Sequence, residues 1–207
     1  MHAYRLLVAI TGGFAIALQY YLVMVGEAGP NPLSRTINLF SYFTILSNSL
    51  VVLAMLLPSS APSRSITQFF ARPSVRTGIL SYILIVSTVY FFALRHLWHP
   101  QGWQFIADTM LHYGVPLLYA FDWILFVQKG TLRAKHALEW LIFPSAYAVW
   151  IFAYGAMTSF YPYPFVDVPA LGYAAVLFNI AVLLIVFVIV GMALIALDRM
   201  LRARTTV

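Results

Sequence analysis

The stretch ALGYAAVLFNIAVLLIVFVIVGMALIAL, residues Ala170–Leu197, is apolar along almost its entire length, and Asn179 is its main polar interruption. An α-helix needs about 20 consecutive apolar residues to cross the hydrocarbon core of a bilayer. This stretch is long enough, and it lacks the residue-by-residue alternation of a membrane β-strand. It therefore predicts a transmembrane helix.

The rest of the chain has the same character. Of its 207 residues, 62% are hydrophobic and only 9% are charged, whereas soluble domains carry about 25% charged residues. The first apolar segment is too long for the core of a signal peptide, which is the alternative interpretation. The sequence predicts an all-α integral membrane protein, a single domain (1–207) that forms a bundle of six transmembrane helices. The predicted spans are residues 4–25, 36–57, 77–97, 104–127, 138–160 and 170–197.

The basic residues predict the orientation of these spans. The net charge is +6, but the charges lie in short loops beside apolar segments, which argues against a nucleic-acid partner. One side of the membrane receives Arg5, Arg64, Arg72, Arg76, Lys129, Arg133, Lys135 and the basic tail from Arg199. The other side receives only Arg35 and Arg95. Because cytoplasmic loops are enriched in Lys and Arg, both termini are expected in the cytoplasm.

The fourth span contains ionisable residues in the stretch ADTMLHYGVPLLYAFDW, Ala107–Trp123. Charged groups at membrane depth are costly and by default mark a functional site. Asp108 and His112 are four residues apart, so they share one helix face. Pro116 cannot donate a hydrogen bond to the carbonyl of His112, and a kink is expected there. The span therefore predicts a polar site, and a structural polar cluster is the alternative.

The second span carries a polar stripe at about the same depth in the membrane as the polar site of the fourth span. Ser41, Thr44 and Asn48 are spaced by three and four residues. Thr44 and His112 each lie about eight residues past the outer end of a span, roughly 12 Å deep at 1.5 Å per residue. Asn179 falls at a similar level. We expect Thr44 and His112 to meet in the outer half of the membrane.

Three motifs carry a resemblance to a known family. They are FSYFTILSNSL at Phe40–Leu50, LHYGVP at Leu111–Pro116 and FYPYPF at Phe160–Phe165. The chain resembles bacterial six-helix relatives of the androgen-induced and androgen-dependent TFPI-regulating proteins, which are membrane hydrolases of fatty-acid esters of hydroxy fatty acids. The resemblance implies a threonine nucleophile at Thr44 and a catalytic histidine at His112. It also implies a lipid-ester substrate, no cofactor or metal, and a place in the bacterial cytoplasmic membrane.

Chemistry explains why these residue types suit such a site. A threonine hydroxyl is a weak nucleophile that needs an adjacent base, and His112 can accept and later return the proton. Asp108 could fix the tautomer of His112. Asn48 or Ser47, one turn below Thr44, could donate to the oxyanion. The absence of cysteine excludes a thiolate nucleophile and disulfides.

The loop after the fifth span could cover this site from outside. As a lid or substrate collar it would contribute Tyr161, Tyr163 and Asp167, together with Asn179 of the last span. A rigid turn with interfacial aromatic residues is the alternative.

Other functions remain open from the sequence. Asp108, His112 and Asp122 could form a proton relay in a transporter or channel, which requires a connected polar path between them. A scaffold would keep Thr44 away from His112, and a membrane threonine commonly bonds the carbonyl four residues earlier. Asp122 is also expected to pair with a loop cation. The expected partner is Lys129 or Arg133. A metal site built from His96, His99, Asp108 and His112 has no specific spacing to support it, and neither has a haem held between His96 and His112.

Overall fold

The structure is a computed structural model that describes residues 1–26, 31–60 and 64–205, and these residues form helices and turns without a strand. The α-helices are α1 (His2–Val25), α2 (Pro32–Phe40), α3 (Phe43–Ser60), α4 (Ser65–Ala71), α5 (Pro73–Val89), α6 (Gly102–Thr109), α7 (Val115–Phe126), α8 (Ala134–Glu139), α9 (Ile142–Thr158) and α10 (Val168–Thr205). One π-helical turn, Tyr90–Leu94, extends α5, and a second, Met110–Gly114, joins α6 to α7.

Several of these helices are long and apolar enough to cross a membrane. They are His2–Val25, Pro73–Leu94, Ala134–Thr158 and Val168–Arg202, and α2 with α3 forms a fifth span if the bent pair is counted as one. The helical run of α6 and α7 is not among them. Large apolar side chains such as Phe92, Val149 and Phe178 are more than two-thirds exposed on the outside of the bundle. Such a surface suits lipid rather than water, so the chain is an all-α integral membrane protein.

The predicted second span, 36–57, is not one straight helix. It breaks at Ser41 and Tyr42, and α2 and α3 meet at 75°. The α9 helix stabilises the break, because Tyr147 donates to the carbonyl of Ser41 (2.8 Å) and the indole N–H of Trp150 donates to the Ser41 hydroxyl (3.1 Å). The break places Thr44 in the first turn of α3, where backbone N–H groups have no partner within the helix.

The helices pack around one apolar core. The α1 helix packs against α3, α6 and α7, and α5 packs against α3, α7 and α10. Fully buried members of the core include Val8, Val51, Ile83, Val115 and Tyr119. This packing brings α3, α5 and the α6–α7 run together, and these three elements carry the candidate site.

A buried ion cluster lies at the end of the bundle opposite Thr44. Asp122 is fully buried and accepts from Arg5 (3.1 Å) and from Arg76 (2.5 Å). The expectation that Asp122 pairs with Lys129 or Arg133 is therefore wrong. Pairing with two cations offsets the free-energy cost of burying this carboxylate, a cost that is large for an unpaired charge.

The nearby loop is held by backbone contacts. The ammonium group of Lys129 donates to the carbonyls of Trp123 and Val127 (2.7 Å to Val127), and burial lowers the Lys129 pKa. Asp198, near the end of α10, accepts from the N–H groups of Gly130 (2.9 Å) and Leu132 (3.3 Å). These contacts tie the ends of α7 and α10 together at the basic end of the bundle.

Candidate functional site

Thr44 faces a histidine and a tyrosine. Its Oγ1 lies 3.5 Å from His112 Nε2 and 3.4 Å from the Tyr163 hydroxyl. Ser49, further along the same helix, instead donates to the carbonyl of Ile45, four residues earlier (2.8 Å). Hydrogen bonds of catalytic groups are often long in unliganded structures, so the 3.5 Å distance fits a nucleophile and its base. The expected meeting of Thr44 and His112 is found.

A carboxylate holds the other side of the imidazole. His112 Nδ1 lies 3.2 Å from Asp108 Oδ1 and 3.0 Å from the Asp108 backbone carbonyl. Both are acceptors, so the Nδ1 atom carries the proton and the Nε2 lone pair points to Thr44. Asp108 is only 4% exposed, so the protein encloses its side chain almost completely. Thr44, His112 and Asp108 thus have the connectivity of a nucleophile, a base and an orienting acid.

A π-helical turn positions His112. The N–H of Val115 bonds to the carbonyl of Met110, five residues earlier, just before Pro116 interrupts the ladder. The carbonyl of His112, which loses its helical donor to the proline, accepts instead from the Ser87 hydroxyl (2.6 Å). The extra residue in the turn changes the direction of the following side chains, a feature common at functional sites. The expected irregularity at Pro116 is therefore a π-turn that α5 stabilises.

Tyr90 belongs to the site, although its sequence context did not single it out. It begins the π-turn after α5, where the N–H of Arg95 bonds to its carbonyl. Its ring stacks on that of His112 with centroids 3.8 Å apart, and its hydroxyl donates to Asp108 Oδ2. Both oxygens of Asp108 therefore have a partner. A tyrosine inside an apolar span was the only signal in the sequence.

Asn48 and Ser47, the expected oxyanion donors, differ in their contacts. The amide of Asn48 donates to the carbonyls of Thr44 (2.8 Å) and Leu111 (3.2 Å), so its N–H groups are not directed at the reacting atoms. It cross-links α3 to the π-turn that carries His112. Ser47 is fully buried, and its hydroxyl has no hydrogen-bond partner among the described residues. The amide N–H groups of Asn48 are therefore engaged in structural contacts, whereas the role expected of Ser47 stays a prediction.

Tyr163 brings a phenol hydroxyl to Thr44. The Thr44 N–H donates to its hydroxyl at 3.3 Å, beside the contact with Thr44 Oγ1. Burial raises the Tyr163 pKa to about 12, so the phenol keeps its proton at neutral pH. The Tyr163 O–H and the Thr44 N–H are two donors next to the candidate nucleophile.

The other members of the expected collar hold the loop itself. Tyr161 packs closely on Gly155, where a Cβ would lie 2.3 Å from its ring. Asp167 accepts from the N–H of Ala170 (3.2 Å) at the start of α10, and Asn179 donates to the carbonyl of Phe165 (2.8 Å). Of the four collar residues, Tyr163 alone lines a cavity beside Thr44 in the described structure.

Two cavities meet at Thr44. The wide cavity, ≈ 640 Å³, has polar groups at its mouth and contains His112 and Asp108 in its wall. The slot, ≈ 80 Å³, lies among α3, α5, α9 and α10 and is lined almost entirely by apolar side chains. Thr44, Leu94 and Tyr163 line both. The candidate nucleophile therefore lies where a cavity that contains the base meets an almost wholly apolar slot.

In the part of the chain that the structure describes, no group of three or more His, Asp or Glu side chains is placed to hold a metal ion. Comparisons of the chain with protein-family models, curated proteins and solved structures found no match. The geometry of the site and its chemistry are therefore what indicate its function.

Proposed function

We propose that the protein is a membrane-embedded hydrolase of lipid esters, with Thr44 as nucleophile and His112 as general base. The observation that carries this proposal is the chain of contacts from Thr44 Oγ1 to His112 Nε2 and from His112 Nδ1 to Asp108, beside a cavity. Such a chain supplies the activation that a threonine hydroxyl needs. The resemblance to hydrolases of fatty-acid esters of hydroxy fatty acids supports the same residues.

The first half of the reaction is acylation of the protein. Thr44 Oγ1 attacks the ester carbonyl carbon while His112 Nε2 takes the hydroxyl proton. The carbonyl oxygen becomes an oxyanion, which accepts hydrogen bonds from the Thr44 N–H and the Tyr163 hydroxyl. The C–O bond to the alcohol breaks, and His112 returns the proton to the leaving alkoxide. Asp108 stabilises the imidazolium throughout.

The second half is deacylation by water. His112 Nε2 takes a proton from the water as its oxygen attacks the acyl-Thr44 carbon. The bond to Thr44 Oγ1 breaks, and His112 returns the proton to that oxygen. A carboxylic acid leaves and the site is restored. No cofactor or metal takes part in either half.

The proposed setting is a bacterial cytoplasmic membrane with six spans and both termini inside. The helical run of α6 and α7 supplies the sixth span, since its 25 residues from Gly102 to Phe126 extend about 37 Å at 1.5 Å per residue. The ion cluster of Arg5, Arg76 and Asp122 then lies at the cytoplasmic end. Thr44 lies in the outer half, where substrate enters from the outer leaflet.

A proton relay or channel is the alternative function, and the geometry supports it less. A relay needs a polar path from Asp108 to Asp122. Between them the same helix face carries Leu111, Val115 and Tyr119, all buried in apolar clusters. A scaffold is also less favoured, because Thr44 and His112 meet beside a cavity instead of lying apart.

Ester turnover by purified protein in detergent tests the proposal. Thr44→Val keeps the volume of the side chain and removes the hydroxyl, and it should abolish turnover. Thr44→Ser should retain turnover, since it keeps the nucleophile. Asp108→Asn should lower kcat by about 10³-fold or more through the wrong tautomer. Ser49→Ala is the matched control on α3. Equal turnover by wild type and Thr44→Val would contradict the proposal.

A further inference from the structure

The two cavities at Thr44 differ in whether they contain the base. His112 and Asp108 line the wide cavity and do not line the slot. The slot is instead lined by apolar side chains from several helices. They include Val86, Val89, Ala148, Ile180, Leu183 and Leu184. A substrate that spans Thr44 therefore has one half on the side of the base and the other half in the slot.

The direction of proton transfer decides which half goes where. His112 delivers a proton to the leaving alcohol in acylation and removes one from water in deacylation. Both the alcohol and the water must therefore be on the side of His112, which is the wide cavity. The acyl group remains bonded to Thr44 between the two steps, so its chain must lie on the other side.

We infer that the slot is the acyl-chain subsite of the enzyme, and that the alcohol half of the ester occupies the wide cavity. This assignment rests on the proposed function. The slot suits an acyl chain because it offers apolar contacts and almost no polar group to desolvate. The wide cavity suits a polar or bulky alcohol half, since Gln104 and Gln19 are hydrogen-bonded to each other in its wall (2.7 Å).

The size of the slot sets an expectation for chain length. The slot is far smaller than the wide cavity, ≈ 80 Å³ against ≈ 640 Å³, so we expect it to enclose only the first part of an acyl chain. Val89, Ala148, Leu183 and Leu184 are only half-buried, so the slot reaches the outer surface of the bundle between α5, α9 and α10. Longer chains leave the slot there and continue into the bilayer.

The test varies the two halves of the substrate separately. One series holds the p-nitrophenyl leaving group constant and changes the acyl chain from acetate to butyrate to octanoate. A second series holds the acetyl group constant and changes the alcohol from ethyl to butyl to octyl. Purified wild type is compared with Ala148→Trp, which fills the slot. Ala146→Trp, two residues earlier on the exposed side of α9, is the matched control.

Wild type should prefer butyrate and octanoate to acetate, because the slot buries their carbons. Ala148→Trp should lower kcat/KM for these longer acyl chains by about tenfold relative to acetate. It should leave the dependence on alcohol length unchanged, and Ala146→Trp should alter neither series. Leu184→Ala, which enlarges the slot, should shift the preference toward longer acyl chains, and it provides the test if the tryptophan variant does not fold.

Two results would overturn the assignment while leaving the proposed function intact. One is a change in alcohol-length dependence in Ala148→Trp. The other is an equal loss of activity toward acetate and octanoate in that variant, with no shift in Leu184→Ala. Failure of wild type to hydrolyse any of these esters would instead overturn the proposed function, and the subsite assignment with it.

Discussion

The imidazole of His112 lies flat on the ring of Tyr90, with the two planes within 13° and the centroids 3.8 Å apart. The hydroxyl of the same tyrosine donates to Asp108, the carboxylate that contacts Nδ1 of His112. One residue thus restrains both the face of the histidine and its acid partner. Tyr90 acts through these two residues, as a positioning residue.

Replacing Tyr90 separates its two contacts. Tyr90→Phe keeps the stacked ring and removes the hydrogen bond to Asp108. A hydrogen bond to a charged group contributes about 1.5–3 kcal/mol, so its loss should lower kcat by about tenfold to a hundredfold. The KM should change little, since the ester does not bind the hydroxyl. Tyr90→Leu also removes the stack and should lower kcat further. A kcat loss in Tyr90→Leu with none in Tyr90→Phe would assign the whole effect to packing.

Asn48 should affect stability more than catalysis. Asn48→Ala removes the side-chain donor to the carbonyl of Leu111 and the additional donor to that of Thr44, and a buried group left unsatisfied costs about 1–3 kcal/mol. The midpoint of thermal unfolding in detergent should fall, while kcat of the folded fraction at low temperature stays within about threefold. Ser47→Ala should be neutral or stabilising, because its hydroxyl has no partner among the described residues. A large loss of kcat without destabilisation would restore Asn48 as an oxyanion donor.

Asp122 should stabilise the fold without taking part in turnover. Asp122→Ala leaves Arg5 and Arg76 buried without their shared carboxylate, and the expected loss is about 3–5 kcal/mol. Glu139→Ala breaks the exposed pair with Lys135 and should cost less than about 0.5 kcal/mol. Thermal unfolding measures both. A well-folded Asp122→Asn that loses ester turnover would favour a relay through Asp122.

The absence of cysteine allows a direct test of the six-span topology. Single cysteines can be placed at exposed positions near the ends of the spans, with Gln101→Cys at the proposed outer side and Lys135→Cys at the proposed cytoplasmic side. In intact cells a membrane-impermeant maleimide should label only Gln101→Cys. Both should be labelled after the membrane is permeabilised. Labelling of Lys135→Cys in intact cells would contradict the orientation derived from the basic residues.

Much of the architecture could be predicted because its signals are local. The apolar length of each segment predicts a helix, and each predicted span corresponds to helical sequence in the structure. Asp108 and His112 could be paired from their spacing of four.

The remaining features depend on contacts between distant segments. The break at Ser41 contains neither proline nor glycine, and it is stabilised by Tyr147 and Trp150 from α9. Asp122 pairs with Arg5 and Arg76, which are more than 40 residues away in the sequence, and not with the cations in the next loop. Because such partners are set by tertiary packing, local patterns do not identify them.

Covalent labelling of Thr44 tests the central claim most directly. Purified protein would be treated with a fluorophosphonate, which reacts with an activated hydroxyl, and the adduct would be located by mass spectrometry of peptides. We expect one adduct per chain, on Thr44. The adduct should be lost in His112→Ala and retained in His136→Ala, since His136 lies outside the site. Absence of any adduct on well-folded wild type, or an adduct on Thr44 that persists in His112→Ala, would contradict a threonine nucleophile activated by His112.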